Sequence, residues 1–123
     1  MRVSREEFEA LVEKAVHDLP EEFQEAIDNV MVSVEEEPSD DDLEGVGIDP
    51  EDPERDELFG LYQGVPLPER GSGYSALPDR VLIYRGPILR ACETRREVMR
   101  EIRETVQHEL GHYFGMEEED LPF

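Results

Sequence analysis

The apolar residues of this chain recur at two different spacings, and the switches between them mark its elements. Phe8, Leu11, Val12, Ala15 and Val16 fall three or four positions apart, on one face of a helix. Ser4, with Glu7 three residues on, makes a capping box ahead of them, so a first helix is predicted from about Ser4 to His17. Pro20 sits where the first position of a second helix falls, with Phe23, Ala26 and Ile27 as its apolar side. After Asn29 the pattern shortens to VMVSVE, β-branched and strand-like. Pro38 to Glu57 has prolines, glycines and crowded like charges, which predict a solvated acidic loop.

LFGLYQGVPLPER is apolar but interrupted by Gly60, Gly64, Pro66 and Pro68, so it supports only a short strand or single turn at Leu58 to Tyr62. GSGYSALP reads as a loop, and DRVLIYRG as the strongest strand. A long helix closes the pattern from about Thr94 to Phe114. Val98, Ile102, Val106 and Leu110 recur every four residues, flanked by Ala91 and Met99. Arg95, Arg96, Arg100 and Arg103 alternate with Glu93, Glu97, Glu101 and Glu104, a charge lacing expected on a solvent face. The sum is a small α+β domain in which a late helix follows two early helices and a few strands.

Composition narrows the partners. A chain of 123 residues is one domain by size. Its 33 acidic and 12 basic residues leave a formal net charge of −21, which repels nucleic acid and anionic membrane surfaces and favours cationic partners. Thirteen of the acids lie between Glu35 and Glu57, against one arginine, whereas seven basic residues lie between Arg80 and Arg103. Cys92, the single cysteine, excludes an internal disulfide. The first residues lack the apolar stretch of a signal peptide, and no run is long enough to span a membrane. These features predict a soluble, cytoplasmic protein.

The candidate chemistry lies in HELGHYFGMEEEDLPF, residues His108 to Phe123. Four residues advance a helix by about 400°, so His108 and His112 leave the same face one turn apart. Glu109 points off that line by about 100°, beside a metal held by the two imidazoles, where its carboxylate can take a proton from activated water. From this composition a chance H-E-x-x-H has a probability of roughly one in a hundred. A glycine three residues after the second histidine lowers that to about one in a thousand. The blander alternative is a pair of ordinary histidines near a helix end, where a cation favours the dipole.

A catalytic zinc takes three protein ligands, which leaves one to find. Gly115, just past the last helical turn, can take a left-handed conformation and swing the following residues back toward the histidines. In the H-E-x-x-H-x-x-G-x-x-H pattern the third ligand comes three residues after the glycine, here Glu118. Glu119 and Asp120 are close rivals and Glu117 a weaker one, because acidic residues crowd this segment. His17, the remaining histidine, falls near the end of the first helix, where a surface or capping role is expected.

At these residues the chain resembles the minimal zincin-like metallopeptidases of bacteria, short proteins ending in H-E-x-x-H-x-x-G-x-x-[DE]. LFGLYQGVPLPER and PDRVLIYRGPI also resemble that family, so the likeness covers most of the chain outside the acidic loop. It implies a zincin-like α+β fold with a mixed sheet beside the motif helix. It also implies zinc held by His108, His112 and Glu118, with Glu109 as general base. Glu118 stands where the family commonly has Asp.

The expected reaction is peptide-bond hydrolysis, with zinc polarising the scissile carbonyl and Glu109 passing a proton from water to the leaving amine. Tyr62, Tyr74, Tyr84, Tyr113 and Arg85 are candidates for an oxyanion donor, although packing is the ordinary role of such tyrosines. LIYRG, as a strand beside the helix, is a candidate for pairing with an extended peptide. The acidic loop is a candidate for screening the cleft or selecting basic peptides. Two other readings compete. Metal-dependent ribonucleases of ribosomal RNA maturation have similar histidine spacing, but place Gly where this chain has Glu109 and need a basic surface. A metal-stabilised binding module without turnover has no use for Glu109.

Overall fold

The computed structural model describes residues 2–27, 30–64 and 79–115. The predicted first helix is α1 (Arg5–His17), with Ser4 Oγ accepting from the Glu7 N–H at 3.1 Å. The carboxylate of Glu7 does not close the capping box. It takes the Arg95 guanidinium at 2.6 Å, tying α1 to the last helix. Pro20 precedes α2 (Glu21–Ile27), whose Phe23 is buried; the side chains of Ala26 and Ile27 lie outside the described part. VMVSVE is β1 (Val30–Glu35).

The segment expected to be a solvated loop is instead folded. It contains α3 (Asp40–Gly45) and a 3-10 turn at Pro53–Glu57. Ser39 caps α3 by accepting from the Asp42 N–H at 3.0 Å, and Asp40, Asp41 and Asp42 sit in the first turn. There the helix dipole favours negative charge, so the crowding that argued for a loop is partly relieved. Arg90 relieves more of it by bonding Glu37 and Asp56, each at 2.8 Å.

The reason for this packing lies in the sheet, whose strand order is β1-β3-β2. The central strand is β3 (Asp79–Tyr84), parallel to β1 and antiparallel to β2 (Gly60–Gln63). Successive strand residues point to opposite faces. Val81 and Ile83 enter the core formed with Phe8, Ile88, Val98, Ile102, Val106 and Leu110. Leu82 and Tyr84, also buried, point the other way and need cover of their own. That cover comes from α3: Asp42 accepts from the Tyr84 hydroxyl at 2.8 Å and from Gln63 Nε2 at 3.0 Å, and Leu43 is fully buried.

A short helix missed by the periodicity, α4 (Arg85–Ala91), follows β3 without a break and buries Pro87 and Ile88. Its seven residues are too few to show a helical repeat. The last helix, α5 (Arg95–Tyr113), is capped by Thr94, which accepts from the Glu97 N–H at 3.1 Å. Val98, Ile102, Val106 and Leu110 have no exposed surface. The expected charge lacing is only partly a free solvent face, since Arg95 reaches Glu7 on α1 and Arg103 reaches Asp18, the residue that follows it. No helix among the described residues is long and apolar enough to cross a membrane. Residues 65–78 and 116–123 lie outside the described part, and with them the GSGYSALP loop.

Candidate metal centre

The apolar seam of α5 is buried against the sheet and α1, and this rotates the neighbouring positions His108 and His112 to the edge of the packed face. Their rings are 5.1 Å apart, and both are partly exposed. Glu109 is buried, 9 % exposed, with one carboxylate oxygen 4.0 Å from His108 Nε2. One ligand atom each from His108, Glu109 and His112 lie within 4.8 Å of one another. Two imidazole nitrogens on one helical face are ligands of the kind that a divalent transition metal takes, and the Glu109 carboxylate stands close beside them.

Strand β2 supports the third member. Phe59 O accepts from the Tyr84 N–H at 2.8 Å, so the odd-numbered residues of this stretch bond to β3. In an antiparallel pair the intervening residues turn their N–H and C=O outward. The outward N–H of Tyr62 donates to Glu109 Oε1 at 2.9 Å. The edge of β2 away from β3 therefore runs beside the motif, and a backbone donor orients the carboxylate.

The approach is close enough to require glycine. A Cβ on Gly60 would lie 2.5 Å from Thr105 Cγ2, 2.9 Å from Leu82 O and 3.5 Å from Glu109 Cγ. A glycine inside an apolar, strand-like run is a signal of such a backbone approach, and LFGLYQ contained it. The backbone contact from Tyr62 left no signal in its side-chain type.

LIYRG does not present an edge to a peptide. As the central strand β3, it is paired on both sides, and β2 holds the position expected of it. The candidate oxyanion donors are mostly committed elsewhere. Tyr84 is buried with its hydroxyl on Asp42, and that burial pushes its pKa far above the ordinary phenol value. Arg85 donates to Glu36 at 2.9 Å and to Val3 O at 2.6 Å. Tyr62 donates its hydroxyl to Asp79 at 2.7 Å, and its ring packs edge-on against the buried Tyr113. Tyr74 lies outside the described residues.

Gly115 has φ of +78°, the left-handed conformation that reverses the chain after α5. Glu118 and its rivals Glu117, Glu119 and Asp120 lie beyond it, outside the described residues. His17 ends α1, exposed, and is not among the converging donors.

The chain is similar in structure to a conserved hypothetical protein from T. thermophilus, with a TM-score of 0.56 and 24 % sequence identity over 91 % of this chain and 94 % of that one. That likeness supports the fold. No curated protein matches the chain. The family model for zincin-like metallopeptidases matches residues 27–122, a span that includes the sheet, the edge strand and the H-E-x-x-H helix, and the chain belongs to that family.

Proposed function

We propose that this protein is a zinc-dependent metallopeptidase whose metal is held by His108, His112 and Glu118. The observation that carries the reading is the placement of Glu109, buried beside the two imidazoles and oriented by the Tyr62 backbone N–H. A purely structural metal site has no need of a fourth, separately oriented carboxylate. Zinc at such a site supplies a Lewis acid that polarises a carbonyl and makes water more acidic.

The chain's own groups do the rest. Glu109 accepts the proton of the attacking water and delivers it to the leaving amine nitrogen. An extended peptide pairs with the outward backbone groups of Gly60, on the edge of β2 that runs beside the motif. This pairing sets the scissile carbonyl beside Glu109, so positioning contributes together with proton transfer.

The test is mass-spectrometric cleavage of a mixed peptide library by zinc-loaded wild type and Glu109→Gln, with metal content confirmed in both. Glutamine keeps an amide oxygen to accept from the Tyr62 N–H, so the variant should fold and retain metal while losing the base. Cleavage by wild type alone supports the proposal. Absence of cleavage by either, with zinc bound, sinks it and leaves the metal-stabilised binding module.

A further inference from the structure

Strand β2 supplies the donor that orients Glu109, yet little of its own length holds it in place. It has four residues, starts at Gly60, is followed by Gly64, and lies at an outer position among the described strands. Glycine leaves the backbone at either end freer to swing than any other residue would. The ladder to β3 holds the odd-numbered residues, but the outward N–H of Tyr62 reaches Glu109 only while the strand keeps its distance from α5.

The Tyr62 side chain sets that distance. Val81 and Ile83 enter the core, so Asp79, two residues before Val81, lies on the same face of β3. Tyr62 is opposite Val81, which makes Asp79 its diagonal neighbour across the β2–β3 pair. The Tyr62 hydroxyl spans the diagonal and donates to Asp79 Oδ2 at 2.7 Å. Its ring rests edge-on against Tyr113 of α5, with centroids 6.2 Å apart. One residue therefore meets the central strand at its hydroxyl, α5 at its ring and Glu109 at its N–H.

Two further features mark the Asp79–Tyr62 pair as built into the fold. Asp79 is only 2 % exposed, and a carboxyl group is costly to bury without a donor. Gly64 is shaped to the pair: an added Cβ would lie 2.5 Å from Asp79 Cγ and Oδ1, and 2.9 Å from the Tyr62 hydroxyl oxygen. Apolar packing alone tolerates sliding, whereas a short hydrogen bond sets both a length and a direction.

We infer that Asp79 and the Tyr62 hydroxyl are positioning residues for Glu109, holding β2 where the Tyr62 N–H meets its carboxylate. Both act through the backbone of Tyr62 and not on the reacting atoms. The consequence for catalysis rests on the peptidase reading; the bond itself can be followed without turnover.

The experiment measures amide hydrogen exchange by NMR in the full chain, with and without zinc. The amide of residue 62 reports the bond to Glu109, and Glu109→Ala gives the protection that remains without it. The amides of Leu61 and Gln63, on the side of β2 that bonds to β3, report the strand itself. Tyr62→Phe removes the hydroxyl and keeps the ring. It should lower protection at residue 62 about three- to tenfold, with Leu61 and Gln63 changing by less than about twofold. Gly64→Ala, which drives Asp79 off the hydroxyl, should act in the same way, and Asp79→Asn, which keeps an acceptor oxygen, should lose less. In zinc-loaded protein Tyr62→Phe should lower kcat by a similar factor at unchanged zinc content. Unchanged protection at residue 62 overturns the inference, and so does an equal fall at Leu61 and Gln63, which marks a merely structural bond. A selective fall at residue 62 without peptide cleavage by wild type keeps the positioning role and defeats the peptidase reading. Full cleavage by Tyr62→Phe with unchanged protection does the reverse.

Discussion

Replacing Gly60 by alanine tests the geometry on which the site depends. The added methyl would lie 2.5 Å from Thr105 Cγ2 and 2.9 Å from Leu82 O. Carbon atoms in good contact are about 3.5–4.0 Å apart, so the first approach is short by at least about 1 Å. Thr105 is buried in α5 and β-branched, which leaves its methyl little freedom to turn aside. The Leu82 oxygen is backbone of the central strand and cannot rotate away. Overpacking of this kind costs about 1–3 kcal/mol. Restricting the unfolded chain returns about 0.4–1 kcal/mol, so a net loss of roughly 1–2 kcal/mol is expected.

Urea denaturation measures the loss as a lower midpoint at unchanged slope. The site should respond as well, since β2 can relieve the clash only by moving outward and lengthening the 2.9 Å bond from Tyr62 to Glu109. Thr105→Ser removes the offending methyl and keeps the hydroxyl. In that background Gly60→Ala should cost less, with a coupling of at least about 0.5 kcal/mol. A Gly60→Ala protein within about 0.5 kcal/mol of wild type, or strict additivity of the two changes, refutes the close approach of β2 to α5.

Other expectations follow from separate parts of the structure. Leu43→Ala, in a segment that read as a solvated loop, should cost about 2–5 kcal/mol in the same urea experiment, whereas a truly solvated position would move it by less than about 0.5. Arg90 hydrogen-bonds Glu37 and holds its carboxyl below the ordinary value of 4.5. Because the folded pKa is the lower one, the stabilisation is present above about 4.5 and is lost as pH falls through the folded value. Glu37→Gln should therefore be slightly less stable than wild type at neutral pH, by under about 1 kcal/mol, with the gap closing in acid. Zinc at a hundred times its dissociation constant should stabilise wild type by about 2.7 kcal/mol in thermal unfolding, and His112→Ala should abolish the shift. Among Glu118→Ala, Glu119→Ala and Asp120→Ala, the first should weaken zinc binding most in calorimetric titration; equal effects would remove Glu118 as the ligand.

Much of this protein was legible one segment at a time. The four-residue recurrence of Val98, Ile102, Val106 and Leu110 specifies a helix and its buried face, and the same helix brings His108, Glu109 and His112 together. Ser4, Thr94 and Gly115 mark helix ends because capping and chain reversal are chemistry of a few adjacent residues. β1 was legible for the same reason: three of its six residues are β-branched valines at alternate positions, bounded by different patterns.

What the tertiary structure decided depends on residues far apart in the chain. Composition alone makes the acidic segment a loop, because its like charges repel; Arg90 and the sheet face that carries Leu82 and Tyr84, both distant in sequence, make it a folded cover. Strand order is equally remote from local pattern. Val81, Leu82, Ile83 and Tyr84 read as a strand wherever they stand, yet pairing on both sides makes β3 central and puts β2 at an outer position among the described strands. The orientation of Glu109 comes from a main-chain N–H 47 residues earlier in the sequence. Every residue except proline has that group, so side-chain pattern gives no sign of it until the backbone is folded.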